Sequence, residues 1–219
     1  MRHIRKQKLK KLQFDSGHQL HMKNQTIPIR DVCTAAVFAA LTAVCSQIII
    51  PLPFTPVPIS LGMVGVYAAA ILLPPRRAVL SQICYLLLGA VGVPVFGGLR
   101  GGITWLFGPT GGYLLVYPLM AAIVSAALNG RRALQTETAS GRTLLKGAAA
   151  LCAAHLVLYL GGTVWLCALT GNPFAAGLSL AVFPYIPLDI VKIVFCATAI
   201  IPLRKRFRRI ALFSMPSSG

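Results

Sequence analysis

Asp189 and Lys192 are the residues whose type and spacing most directly suggest chemistry. Asp189 is one of only four acidic residues in the chain, and it opens an otherwise apolar run. A carboxylate at membrane depth costs about 2.5–3.5 kcal/mol on insertion scales, so such a residue usually has a function. Lys192 follows three residues later, which places both charges on one face of a helix. The pair predicts a site that holds a polar solute inside a membrane protein.

The same pair also has a purely structural interpretation, which the sequence leaves open. Pro187 lies near the expected start of this helix and places Asp189 in its first turn. There a carboxylate is favoured by the helix dipole and by the free backbone amides. Asp189 would then cap the helix and pair with Lys192 without any ligand.

Composition and apolar runs predict a membrane protein. Hydrophobic residues make up 56% of the 219 residues and charged residues 11%, whereas soluble domains carry about 25% charged residues. We predict an all-α fold, a bundle of six transmembrane helices within residues 29–203. A basic, disordered cytoplasmic segment (residues 1–28) precedes it, and a basic cytoplasmic tail (204–219) follows. The six predicted spans are Val32–Ile50, Ser60–Leu73, Ala78–Val93, Gly112–Leu128, Leu144–Leu169 and Leu180–Leu203.

The basic residues predict the orientation of these spans. The net charge is +17, but the charges follow the loops instead of forming one patch. If the N-terminus is cytoplasmic, nineteen Lys and Arg residues lie on the cytoplasmic side and only Arg100 lies opposite. This asymmetry favours a multi-pass protein of the cell membrane with both termini in the cytoplasm, in contact with anionic lipid, over a nucleic-acid-binding protein. Met22 is a second candidate start of translation.

Cysteine and histidine do not predict a metal or catalytic site. The six cysteines form no C-x-x-C pair, and we expect free thiols. His155 has no acidic or cysteine neighbour at ligand spacing, so we expect a hydrogen-bonded packing residue. The chain shows no Ser-His-Asp or Cys-His arrangement and no ATP-binding P-loop, which argues against an enzyme.

Two irregular segments supply further candidate binding residues. Residues 51–60 contain four prolines yet are mostly apolar, which fits a lid over an apolar ligand as well as a plain loop. Residues 88–105 are rich in glycine, whose backbone can approach a ligand closely. Irregular backbone at membrane depth is tolerated where it faces a cavity. The candidates from these segments and from the third span are Thr55, Pro56, Gly97, Gly98, Gly101 and Tyr85.

Small residues recur in the first span at a spacing of four. Such repeats allow close approach of a second helix. Internal packing explains them equally well, but a docking surface for another membrane protein is the sharper interpretation. The candidate docking residues are Ala35, Ala36, Ala39 and Ala40.

Four segments together resemble the BioY family, the biotin-specific substrate-binding (S) components of energy-coupling factor (ECF) transporters. They are FTPVPIS (54–60), LGAVGVPVF (88–96), GPTGGYL (108–114) and PLDIVK (187–192). The resemblance, over about residues 29–203, implies a six-helix bundle with an outward-facing biotin pocket and high-affinity uptake. Asp189 and Lys192 match the family's acidic and basic ligand positions. It also implies a transmembrane coupling protein, which docks on the alanine face, and two cytoplasmic ATPases that use ATP; no cofactor is implied.

The chain departs from the family pattern at a few positions, and other functions stay open. Arg100 and Trp105 stand where we expect small or aliphatic residues, and Gly62 and Met63 where we expect polar ones. The alternatives are an S component or solitary facilitator for another small vitamin and, less favoured, a membrane enzyme.

Overall fold

The computed structural model describes residues 28–51, 53, 59–129, 141–204 and 206–207. Most of the two predicted basic terminal segments lies outside these ranges. So do the candidate residues Thr55 and Pro56 and the second methionine, Met22.

The described chain is mostly helical and contains one short hairpin of two strands. Strands β1 and β2 pair antiparallel, with Ile49 opposite Ser60 and Ile50 opposite Ile59. The elements in chain order are α1 (Ile29–Gln47), β1 (Ile49–Ile50), β2 (Ile59–Ser60), α2 (Gly62–Leu72), α3 (Pro75–Ala90), α4 (Ile103–Leu106), α5 (Gly111–Leu115), α6 (Tyr117–Asn129), α7 (Gly141–Thr170), α8 (Phe174–Ala181) and α9 (Ile186–Phe195), which continues into a π-helical turn (Cys196–Ile200).

Proline marks the start of several helices. Pro28, Pro74 and Pro173 occupy the position before α1, α3 and α8, and Pro187 lies in the first turn of α9. Proline lacks an N–H, and the first amides of a helix have no intrahelical acceptor, so a proline there loses nothing. Local sequence therefore determines where these helices begin.

Within the described ranges, four helical segments are long and apolar enough to cross a membrane: Ile29–Gln47, Gly111–Asn129, Thr143–Thr170 and Ile186–Arg204. They coincide with the first, fourth, fifth and sixth predicted spans. The second and third predicted spans correspond to α2, of 11 residues, and α3, of 16 residues. The all-helical membrane architecture is thus confirmed, whereas the count of six spans stays a prediction.

Small residues let the helices approach closely. At Gly65 in α2, an added Cβ would lie 2.6 Å from the Cα of Thr42 in α1. At Gly112 in α5, it would lie 2.2 Å from the side chain of Trp165 in α7. Because lipid tails are as apolar as leucine, helices in a bilayer associate through such close packing.

The four alanines of α1 lie on two different faces. Ala35 and Ala39 are 0% and 1% exposed and pack inside the bundle, whereas Ala36 and Ala40 are exposed. Consecutive helical residues are about 100° apart, so one four-residue repeat faces inward and the next outward. Ala36 and Ala40 are thus the two alanines that face outward, and docking of a partner at the four-alanine repeat stays a prediction.

The connection between α3 and α4 is irregular but hydrogen-bonded. Phe96 and Arg100 exchange two backbone hydrogen bonds, at 2.8 and 3.2 Å, and close a tight loop. Within it, Gly98 and Leu99 have φ angles of 76° and 57°. Glycine adopts this left-handed conformation without strain. The loop brings Phe96, Gly97 and Arg100 to the same end of the bundle as the β1–β2 hairpin.

Candidate ligand-binding site

A cavity lies at this end of the bundle, enclosed by the hairpin, the 91–102 loop and helices α3, α5, α6, α7 and α9. Its empty space, counted out to the open mouth, is about 860 Å³. The lining residues are Ser46, Ile49, Ile59, Ser60, Met63, Tyr85, Phe96, Gly97, Arg100, Trp105, Thr110, Tyr113, Leu114, Tyr117, Leu158, Tyr159, Tyr185, Asp189 and Lys192.

Asp189 and Lys192 form a buried ion pair in the cavity wall. Their residues are 3% and 6% exposed, and Lys192 Nζ donates to Asp189 Oδ1 at 2.9 Å. The Tyr159 hydroxyl donates to Oδ2 at 2.6 Å. Asp189 lies in the first turn of α9, as expected, and the pairing with Lys192 is present. The described hydrogen bonds of its carboxylate come from side chains and not from the free backbone amides of the helix start.

His155 in α7 contacts the same carboxylate from another side. Its Nε2 lies 2.9 Å from Asp189 Oδ2, an ion-pair distance, although the two groups are not aligned as a regular hydrogen bond. Its Nδ1 lies 2.6 Å from the hydroxyl of Tyr67 in α2. The expectation of a buried, hydrogen-bonded His155 is confirmed. Its further contact with an acidic residue comes from a different helix, so no sequence spacing could reveal it.

Aromatic rings form the apolar wall opposite the ion pair. The rings of Tyr85 and Tyr117 stack with centroids 6.2 Å apart, and Phe96 meets Tyr85 edge-on at 5.6 Å. Phe96 can enter because Gly89 has no side chain, since an added Cβ there would lie 2.1 Å from the phenyl ring. The Tyr85 hydroxyl is 3.0 Å from Ser46 Oγ. The wall thus offers flat apolar surfaces and hydroxyl groups.

Arg100 and Trp105 complete the wall near the mouth. The Arg100 guanidinium lies over the Trp105 ring, 4.3 Å from its centroid. This distance is typical of a cation–π interaction, in which a guanidinium lies on the face of a tryptophan ring. In the sequence, Trp105 stood out only as a departure from a family pattern. Arg100 stood out as well through its isolation from the basic residues of the predicted cytoplasmic loops, and that isolation is the signal that could have identified it.

The predicted binding residues are partly brought together. Asp189, Lys192, Tyr85 and Gly97 line the cavity. Gly98 and Gly101 do not line it: Gly98 lies beside Ile49, and Gly101 packs against the backbone of residues 92 and 93. Thr55 and Pro56 lie outside the described residues. A ligand-binding role for the lining residues stays a prediction.

Known proteins with similar sequence and structure share one description. A family model described as "BioY family" matches residues 18–209. The "Probable biotin transporter BioY" of Pyrococcus horikoshii is 38% identical over 172 residues, which cover 78% of this chain and 93% of that protein. The "Biotin transporter BioY" of Thermotoga maritima is 31% identical over 177 residues, covering 81% of this chain and 97% of that one.

A solved structure extends the similarity to the fold. It is described as the S-component for biotin from an ECF-type ABC transporter, and it superposes with a TM-score of 0.70 at 26% identity. The match covers 84% of this chain and 94% of that chain. The family model and the relatives each span well over half of the sequence. The chain therefore belongs to the BioY family.

Proposed function

We propose that this chain binds biotin in the cavity and mediates its uptake as the S component of an ECF transporter. As a BioY protein it is a transport component and not an enzyme. The observation that carries the proposal is the buried Asp189–Lys192 pair in the wall of a cavity rich in aromatic and aliphatic side chains. Biotin requires this combination, because it joins a polar ureido ring to an apolar thiophane ring and an acidic valerate tail.

Asp189 is the group best suited to the ureido ring. It is the acidic side chain among the described lining residues, and a carboxylate accepts a hydrogen bond from a ureido N–H group. Charge-assisted bonds in a site shielded from water contribute roughly 1.5–3 kcal/mol each. The stacked rings of Tyr85 and Tyr117 would then pack against the thiophane ring.

Arg100 is the group best suited to the valerate carboxylate. Lys192 already donates to Asp189 within the protein, whereas Arg100 stacks on Trp105 near the mouth, with its guanidinium edge available for a bidentate contact. This arrangement orients biotin with the ureido ring inward and the tail outward. Thr55, Pro56 and Gly97 are further proposed ligand-binding residues.

Energy for uptake is proposed to come from partner subunits, since the sequence carries no P-loop. They are a transmembrane coupling protein and two cytoplasmic ATPases. Exposed Ala36 and Ala40 on α1 are the proposed docking positions, because small side chains permit close helix contact. Both termini are proposed to be cytoplasmic. Reporter fusions that place residues 55 and 205 on the same side of the membrane would contradict this topology.

Ligand identification tests the proposal. The full chain is purified in detergent, co-purifying small molecules are identified by mass spectrometry, and binding of biotin is measured by titration calorimetry beside thiamine and riboflavin. We expect biotin alone to bind, with a stoichiometry of about one per chain. A protein that ignores biotin but carries another vitamin would contradict biotin specificity and support the alternative of a different vitamin S component.

A further inference from the structure

His155 lies behind Asp189 as seen from the cavity. Its side chain is buried, with the residue 4% exposed. It does not line the biotin cavity, but it borders a separate apolar groove between α7 and α9, together with Cys152 and Ile186. Asp189 and Tyr159 border both spaces. His155 can therefore act on a ligand in the cavity only indirectly, through the residues that border both spaces, Asp189 and Tyr159.

The contacts of His155 favour one protonation state. Tyr67 lies 2.6 Å from Nδ1 and has no other side-chain hydrogen bond among the described contacts. If the Tyr67 hydroxyl donates to Nδ1, that nitrogen is unprotonated and Nε2 carries the hydrogen that faces Asp189 Oδ2 at 2.9 Å. The hydrogen bond at one ring nitrogen determines the tautomer at the other. Lys192 already neutralises Asp189, so a neutral imidazole avoids a second buried positive charge.

We propose that His155 is a positioning residue for ligand recognition, locked by Tyr67 in the neutral Nε2–H tautomer so that it holds the Asp189 carboxylate toward the cavity. The proposal rests on the biotin function proposed above. The neighbouring elements contribute Tyr67 from α2, Tyr159 from α7 itself, and Asp189 with Lys192 from α9. Two residues of α7, Tyr159 and His155, therefore both contact Oδ2 of Asp189.

Substitutions separate this role from simple packing. His155→Leu fills the space but removes the donor, and Tyr67→Phe removes only the hydroxyl that fixes the tautomer. We expect each to weaken biotin binding about tenfold, because Asp189 loses the close contact that holds its carboxylate in place. His155→Gln retains an N–H near the Nε2 position and should recover most of the affinity. In that background, Tyr67→Phe should have little further effect, because an amide has no tautomer to fix.

Ser125→Ala is the matched control for Tyr67→Phe. The Ser125 hydroxyl is also fully buried and donates to Leu73 O at 2.6 Å, but it does not line the cavity. We expect this variant to bind biotin as the wild type does, even if it melts at a lower temperature.

A spectroscopic measurement tests the tautomer directly. The sequence has four histidines; with His3, His18 and His21 replaced by Gln in the full chain, His155 is the single remaining imidazole. Nitrogen-15 NMR of histidine-labelled protein then reports both ring nitrogens. We expect a protonated Nε2 and an unprotonated Nδ1 at neutral pH, with the Nδ1 signal shifted by Tyr67→Phe.

The outcomes distinguish this inference from the proposed function. An imidazolium ion, an Nδ1–H tautomer, or wild-type affinity in Tyr67→Phe and His155→Leu would overturn the positioning role while leaving biotin binding intact. If His155→Leu does not fold, the biotin affinity of Tyr67→Phe and the nitrogen-15 NMR spectrum still test the positioning role. If the wild type does not bind biotin, the proposed function fails first.

Discussion

Two buried polar clusters occupy different parts of the bundle, and only one of them borders the cavity. The first is the Asp189–Lys192 pair with its neighbours. The second joins Asn129 at the end of α6 to Arg204 beyond the π-helical turn, through a 2.8 Å bond from Arg204 Nε to Asn129 Oδ1. Asn129 and Arg204 are 6% and 8% exposed, as buried as the first pair. Burial alone therefore does not distinguish a binding site from a structural one.

The bonding partners do distinguish them. Asn129 Nδ2 donates to the backbone carbonyls of Ala70, Ile71 and Leu73, and Arg204 also donates to the carbonyl of Leu128. Carbonyls at the end of a helix lack intrahelical donors, so this cluster completes the ends of α2 and α6. Asp189 instead bonds to side chains in a cavity wall, where a ligand can compete or add bonds. A buried charge beside an empty space is the better indication of function.

The largest expected effect on biotin affinity is that of Lys192→Met. The variant keeps the length of the side chain but leaves the Asp189 carboxylate without its buried cation, which is strongly unfavourable. We expect biotin to bind at least tenfold more weakly, about 1.4 kcal/mol, by titration calorimetry. Thermal melting of the ligand-free protein serves as the folding control. A well-folded variant with wild-type affinity would make the pair purely structural.

Arg100→Gln should have a smaller effect that depends on the ligand. Arg100 is exposed at the mouth, and exposed ion pairs contribute little. We therefore expect roughly a fivefold loss for biotin and no loss for biotin methyl ester, which lacks the negative charge. Equal losses for the acid and the ester, measured by competition against labelled biotin, would show that Arg100 does not contact the carboxylate.

Asn129→Ala should leave biotin affinity unchanged and lower stability. The substitution leaves buried carbonyls at the end of α2 without a hydrogen-bond donor. Each unsatisfied group lowers the free energy of unfolding by roughly 1–3 kcal/mol. We expect a clear fall in the melting temperature in detergent, with affinity within twofold of the wild type. A loss of affinity in protein shown to be folded would mean that the two clusters are coupled.

Ala40→Phe should change neither affinity nor stability, but it should reduce uptake. Ala40 is exposed on α1, so a bulky side chain there is accommodated in lipid while it blocks close approach of a partner helix. Uptake of labelled biotin by cells and recovery of the coupling protein on purification are the measurements. Val37→Phe, at a position that is already bulky and 67% exposed, is the matched control. Full uptake by Ala40→Phe would remove this face from the proposed docking surface.

Much of this architecture could be predicted from local sequence, and the features that could not be predicted share a cause. Apolar runs and prolines indicate the helices and their starts, and the rarity of acidic residues singles out Asp189. The His155–Asp189 contact and the inward packing of Ala35 and Ala39 could not be predicted, because they depend on which helices become neighbours. Gly98 and Gly101 illustrate the same limit: glycine indicates a tight backbone, but not whether a ligand or another strand of backbone fills the space.

Biotin titration of Asp189→Asn most directly tests the claim that the cavity cluster is the ligand site. The amide is nearly the same size as the carboxylate, but it removes the charge and replaces one acceptor with a donor. We predict at least a tenfold loss of affinity in protein that remains monodisperse and melts cooperatively, with Asn129→Ala as the structural comparison. Wild-type affinity in folded Asp189→Asn protein would contradict the account, because biotin would then be recognised without the one buried carboxylate that lines the described cavity.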